Sequence, residues 1–136
     1  CIGVVEGAEP LGQAIPRLAL SAAFADPRLP ALRPHDLHDL TIELSVLTSP
    51  RPIPARSWPE LLEQVQPFVD GVIIGAGTRH GLFLPSVWEQ LPESTAFLEH
   101  LYLKAGLTPR SWPPGMKAQR FGARSHQRPA SRHVAN

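Results

Sequence analysis

Between Val69 and Pro85 the chain carries two nearly continuous apolar arms around a glycine-rich centre. Val72, Ile73 and Ile74 form the first arm, Leu82, Phe83 and Leu84 the second, with Gly75-Ala76-Gly77-Thr78 between them. β-branched and aromatic residues on either side of a glycine turn predict a β-hairpin. Arms that are apolar at successive positions predict a hairpin that is central in its sheet and covered on both faces. Such a hairpin needs other strands beside it and helices over it. A chain of 136 residues has room for one domain of that kind, and its 43% hydrophobic content can supply the core.

The remaining elements fit around it. Cys1 to Glu6 reads as a short strand. Leu11 to Ala25 reads as a helix, with Ile15, Leu18, Ala22 and Ala25 along one stripe, ended by Asp26-Pro27. Thr41 to Leu47 alternates: Ile42, Leu44 and Val46 point one way, Thr41, Glu43, Ser45 and Leu47 the other, as in a strand. On that polar side Glu43 faces solvent or a cleft. Pro50, Pro52 and Pro54 hold an extended connection. Ser57 followed by Glu60 is a capping box for a helix through Gln66. Pro85 to Gln90 is a short helix opened by proline. Ser94 or Thr95 caps another, running to Ala105, with Phe97, Leu98, Leu101 and Tyr102 as its buried face and Gly106 as its stop. Met116 to Ala123 reads as a last strand.

Charge is split along the chain. Residues 1–99 carry 12 acidic and 6 basic side chains; residues 100–136 carry 7 basic and none acidic. Arg120, Arg124, Arg128 and Arg132 recur every four positions, but Pro129 and the lack of an apolar stripe speak against a helix. A solvated, disordered tail over residues 124–136 is the expectation. A basic arm for nucleic acid is the alternative, although no aromatic residue after Phe121 offers a base a stacking surface. No apolar run approaches the ~20 residues of a membrane span. One cysteine excludes an internal disulfide and fits a cytoplasmic setting.

Three patterns resemble known chemistry only in part. His35, Asp36, His38 and Asp39 have metal-ligand types at close spacing, but no third ligand adjoins them, and a surface turn is expected rather than a metal site. Gly71, Gly75, Gly77 and Gly81 do not form a dinucleotide fingerprint; left-handed turn geometry is their expected use. No other cofactor motif is present. Trp88 and Trp112 are expected to pack in the core.

Several segments in order resemble one family. They are the opening Cys1-Ile2-Gly3, the helix end and strand in LSAAFADPRLPALRPHDLHDLTIELSVLTSP, the run VDGVIIGAGTRHGLFLPSVWEQLP, and FLEHLYLKAGL followed by Ser111-Trp112. Together they are similar to the AMMECR domain, whose prokaryotic members are called protein A of the AmmeMemoRadiSam system. The likeness covers residues 1–123. It implies an α+β fold: a mostly antiparallel sheet with packed helices, plus a smaller lobe near the N-terminal signature. The family's signature reads Leu-Arg-Gly-Cys-Ile-Gly, and only its second half is present. An N-terminal truncation of roughly 50 residues, including the signature arginine, is the corresponding expectation.

The resemblance makes Cys1, Ile2 and Gly3 the signature or ligand positions. Cys1 is then the candidate nucleophile, needing a nearby base or cation to lower its pKa, and His80 is the candidate base. The other reading of Cys1 is a small buried hydrophobe. A residue-one cysteine could also act with its own amine, as in N-terminal-nucleophile hydrolases, but the family places this cysteine inside a longer chain. The family's gene association implies protein partners: a Memo-type protein and a radical S-adenosylmethionine enzyme. An accessory role in a modification pathway is the leading expectation. A cysteine-dependent enzyme and a nucleic-acid-binding module are the alternatives.

Overall fold

A computed structural model of the chain describes Leu18 and residues 20–22, 30–34 and 40–129, the last two without their side chains. Leu18 and residues 20–22 are helical, within the helix expected over 11–25. The expected strand at Cys1–Glu6, the His35–Asp39 cluster and the tail beyond Pro129 lie outside the described residues. The chain divides into two units, Cys1–Leu44 with His126–Asn136, and Ser45–Ser125. The second holds the core.

That core is built on a four-stranded antiparallel sheet in the order β2-β5-β3-β4. Its strands are β2 (Arg51–Pro52), β3 (Gly71–Ala76), β4 (Arg79–Phe83) and β5 (Lys117–Phe121). The expected hairpin is β3 and β4, with Ala76 opposite Arg79 and a two-residue loop of Gly77-Thr78. Gly77 has φ of 63° and Thr78 does not share the positive sign, the pattern of a type II′ turn. The hairpin is not central as a whole. β5 adds beside β3, so β3 lies inside the sheet and β4 at its edge. Nor are both faces covered throughout, since Ile73 and Leu82 are only half-buried. Local apolar content cannot specify which arm receives the next strand; a segment more than 30 residues away decides it.

Two helices and a 3-10 turn cover one face. α1 (Trp58–Gln64) starts at Ser57, whose Oγ accepts from the Glu60 N–H at 3.3 Å. The Glu60 carboxylate reaches back to the N–H of Arg56, at 2.7 Å, one residue before the position a capping box would use. The helix ends two residues short of Gln66. The 3-10 turn spans Pro85–Glu89. α2 (Ser94–Ala105) begins after Glu93, which makes no side-chain cap, so neither Ser94 nor Thr95 is its cap. Its end is as expected: Gly106 turns left-handed at φ 77°, Gly106 N–H bonds the Leu103 carbonyl, and Leu107 N–H bonds the Tyr102 carbonyl. These two bonds form a Schellman motif.

Burial follows the strand and helix periods. Val72 and Ile74 of β3 and Ala118 of β5 point to the helices, as do Phe97, Leu98, Leu101 and Tyr102 of α2. Trp88 is fully buried and stacks on Phe97 at 3.7 Å, while its indole N–H donates to the Asp70 carbonyl at 2.7 Å. Trp112 is half-buried against the same core. Fully burying one such side chain contributes about 1.5–3 kcal/mol, so this cluster dominates the stability of the unit.

A second, two-stranded sheet pairs β1 (Thr41–Leu47) with β6 (Ala123–Pro129). This corrects the expectation of a disordered tail from residue 124: the basic segment is a strand through Pro129. Ser45 and Ser125 hydroxyls meet at 2.9 Å, Gln127 Nε2 donates to Glu43 at 2.9 Å, and Thr48 N–H bonds the Gly122 carbonyl. As one strand's numbers rise the other's fall, so the pair is antiparallel. Polar composition hid a strand whose partner lies about 80 residues away, because strand formation depends on pairing more than on intrinsic preference. Glu43 is thereby held by Gln127 on an exposed surface.

Candidate functional site

β3 and its neighbours turn alternate residues to the face opposite the helices. Gly75 is paired with His80 on β4 and with Lys117 on β5; Ile73 is paired with Leu82 and Gln119. Strands lie about 4.8 Å apart, so the backbones of His80 and Lys117 stand about 10 Å apart across Gly75. A recess of ≈ 250 Å³ opens there, lined by Ile73, Gly75, Gly77, His80, Gly115, Lys117 and Gln119. Among the described residues its polar groups are an imidazole, an ammonium and an amide, with no carboxylate. His80, Lys117 and Gln119 make no side-chain hydrogen bond or ion pair with other described residues.

Glycine shapes this recess, by a different route from the one expected. Only Gly77 of the four hairpin glycines takes a left-handed φ. A Cβ on Gly75 would stand 2.4 Å from His80 Cδ2, so the missing side chain lets the imidazole lie across the strand. Likewise, a Cβ on Gly71 would meet the Phe121 ring at 2.4 Å. Gly81 looks the other way, where a Cβ would meet Ala105 of α2 at 2.9 Å. Three of these glycines therefore permit close approach and one permits a turn.

The edge beside His80 is fastened. Lys104 Nζ donates to the Leu82 carbonyl at 2.8 Å and lies 5.2 Å from the centre of the Phe83 ring. Arg79 Nη1 donates to the Gly106 carbonyl at 2.6 Å, a cation placed at a helix C-terminus. These contacts hold β4 and cap one carbonyl of its free edge.

At the far end of the sheet lies a buried acid that sequence reading missed. Asp70 is 5% exposed, and its Oδ2 accepts from the Gln66 N–H at 2.9 Å. Arg120 Nε lies 3.8 Å from the same oxygen, and its Nη2 donates to the Gln64 carbonyl at 2.9 Å, closing the C-terminal end of α1. This pair fixes the turn before β3. Phe68, inside that turn, has φ of 64° and is 60% exposed.

Of the site residues expected from sequence, His80 is placed, exposed and on an edge strand. Cys1, Ile2 and Gly3 lie outside the described residues, so no Cys1–His80 couple is described. Among the described residues no three His, Cys, Asp or Glu side chains gather as a metal site, and no helix is long and apolar enough to cross a membrane. Lys117 and Gln119 are the recess residues that sequence reading missed. Their only signal was alternation with the apolar Met116 and Ala118, and which side each would occupy depended on the pairing with β3.

Comparison with known proteins gives the family and the fold. The AMMECR1 family model matches residues 1–126. A protein of Thermofilum pendens is 40% identical over 129 residues, covering 90% of this chain and 59% of the relative. A protein of Methanocaldococcus jannaschii is 39% identical over 125 residues, covering 90% of this chain and 62% of the relative. The chain thus spans about three-fifths of the length of these relatives. The crystal structure of an uncharacterised protein from Pyrococcus horikoshii superposes with a TM-score of 0.85 at 31% identity, covering 93% of this chain and 63% of that one. It shares the α+β fold with an antiparallel sheet expected from the sequence. By motif order, family model and structure together, the chain belongs to the AMMECR1 family.

Proposed function

We propose that this AMMECR1-family chain works as an accessory domain that engages protein partners through the open face of its sheet. The partners are those implied by the family's gene association, a Memo-type protein and a radical S-adenosylmethionine enzyme acting in a modification pathway. The observation that carries this reading is the recess around Gly75. It presents hydrogen-bonding groups that the fold itself does not use, on a rigid sheet whose other face is packed. Rigid elements that hold unused polar groups in fixed positions suit recognition. His80 lies across Gly75, and no carboxylate among the described lining residues orients it as a base. Both the cysteine-enzyme reading and the nucleic-acid reading of the C-terminal arginines draw less support, the latter because β6 ties that segment to β1.

The test is direct binding. The full chain is titrated, by calorimetry, with a Memo-type protein and with a radical S-adenosylmethionine enzyme encoded in the same genome. Saturable binding that weakens at least about tenfold with Lys117→Glu is expected. Turnover of a substrate by the chain alone, lost on Cys1→Ser, would replace the accessory reading with an enzymatic one.

A further inference from the structure

We infer that the recess beside Gly75 takes a carboxylate, with Lys117 as the counter-charge and His80 and Gln119 as flanking hydrogen-bond donors. This rests on the reading of that face as the functional one, and it names the ligand chemistry.

Cations that hold this fold have visible partners. Arg79 bonds the Gly106 carbonyl, Arg110 pairs with Glu99 at 2.8 Å, and Arg120 bonds the Gln64 carbonyl beside Asp70. Lys117 has no such partner among the described residues and borders a recess instead. The register puts it and His80 on opposite sides of Gly75, on one face. Gly75 adds no side chain between them and the His80 ring lies over it, so the recess opens beside that ring, toward Lys117 and Gln119. Cβ atoms on Gly77 and Gly115 would meet nothing within 4 Å, so the recess is open at both of those turns.

Charge selects the ligand. Among the described residues, the lining holds one permanent positive charge and no negative one. A monoanion balances that charge, and a planar carboxylate can accept from the ammonium and from a flanking donor at once. A phosphate dianion would be only half neutralised. The volume of ≈ 250 Å³ is sufficient for an acid of a few carbons. The carboxylate can belong to a free small acid or to an Asp or Glu side chain of a partner.

The experiment is an NMR titration of the isotope-labelled full chain with butyrate, with a blocked Gly-Glu-Gly peptide and with inorganic phosphate, at constant ionic strength. The inference predicts saturable shifts confined to His80, Lys117, Gln119 and the glycines beside them. Lys117→Gln should weaken binding by about tenfold with an unchanged fold by amide spectrum. Gly75→Ala, which displaces the His80 ring, should weaken it independently. Tighter binding of the peptide than of butyrate assigns the carboxylate to a protein side chain, and the reverse assigns it to a free acid. The inference is overturned by three outcomes: no saturable shift at these residues, shifts unaffected by Lys117→Gln, or phosphate binding more tightly than either carboxylate. Partner titrations separate the two levels. Partner binding without carboxylate binding removes this inference alone; carboxylate binding without partner binding removes the accessory reading.

Discussion

The two faces of one sheet are made by the same strands, yet alternate residues have opposite fates. On one side Val72, Ile74 and Ala118 meet Phe97, Leu98 and Tyr102, and even Gly81 is in contact, its position fitted to Ala105. On the other side Gly75, His80, Lys117 and Gln119 surround a recess that the fold leaves open. A glycine on the packed face makes room for a helix; a glycine on the open face makes room for an imidazole. The strand period of two places the packed core on one side and leaves the polar recess on the other.

The sharpest way to break this contrast is at the packed face. Trp88→Ala removes the stack on Phe97 and leaves the Asp70 carbonyl without its indole donor. A loss of about 3–5 kcal/mol is expected in chemical denaturation, and a loss under about 1 kcal/mol would show that the packed face does not carry the unit. Next comes Gly81→Ala, whose Cβ meets Ala105 Cβ at 2.9 Å and the Ala105 backbone N at 3.1 Å. Helix backbone must shift, so about 1–3 kcal/mol is expected. Its counterpart, Gly75→Ala, meets only an exposed imidazole that can swing away. It should cost less than about 1 kcal/mol while changing the His80 ring environment in NMR. Equal costs at the two glycines would erase the difference between the faces.

Tyr102 offers a pH test of the packed side. It is the chain's single tyrosine, donates to the Ser111 carbonyl at 3.0 Å, and has its phenol pKa pushed up by burial to about 12. The folded chain therefore keeps a proton that the unfolded chain releases near pH 10. Stability from this group is complete below pH 10 and is lost as pH rises toward 12. Absorbance of tyrosinate near ~295 nm should show one phenol titrating late in the folded chain and near pH 10 in denaturant. A native midpoint near 10 would place the phenol in solvent.

The smallest expected effect concerns Phe68. Its φ of 64° costs an L-residue about 1–2 kcal/mol, and Asn tolerates that region better than an aromatic ring does. Phe68→Asn is expected to leave stability within about 1 kcal/mol of the parent, the relief offsetting the lost contact with Trp88. A large loss would make the exposed turn part of the core.

Much of this was legible in sequence, where the signal is local. The arms around Gly77, the alternation of Thr41–Leu47, the apolar face of α2 and its Gly106 stop all follow from periodicity and backbone chemistry. What was not legible depended on distant pairing. β4 became an edge because Lys117–Phe121 joined β3, and residues 123–129 became a strand because Thr41–Leu47 was beside them. Lys117 and Gln119 entered the recess for the same reason: their side of β5 is set by register, and no local pattern fixes register. His80 stood out as an imidazole near the hairpin turn, and its use of Gly75 as a platform appeared only with the strand pairing in place.

Lys117→Glu tests the central claim most directly, through thermal stability and partner affinity measured on the same sample. An open recognition face predicts a melting temperature within about 2 °C of the parent and affinity for the Memo-type or radical S-adenosylmethionine partner reduced at least about tenfold. Unchanged affinity, or a collapse of the melting temperature, would contradict the division of the sheet into a packed face and a binding face.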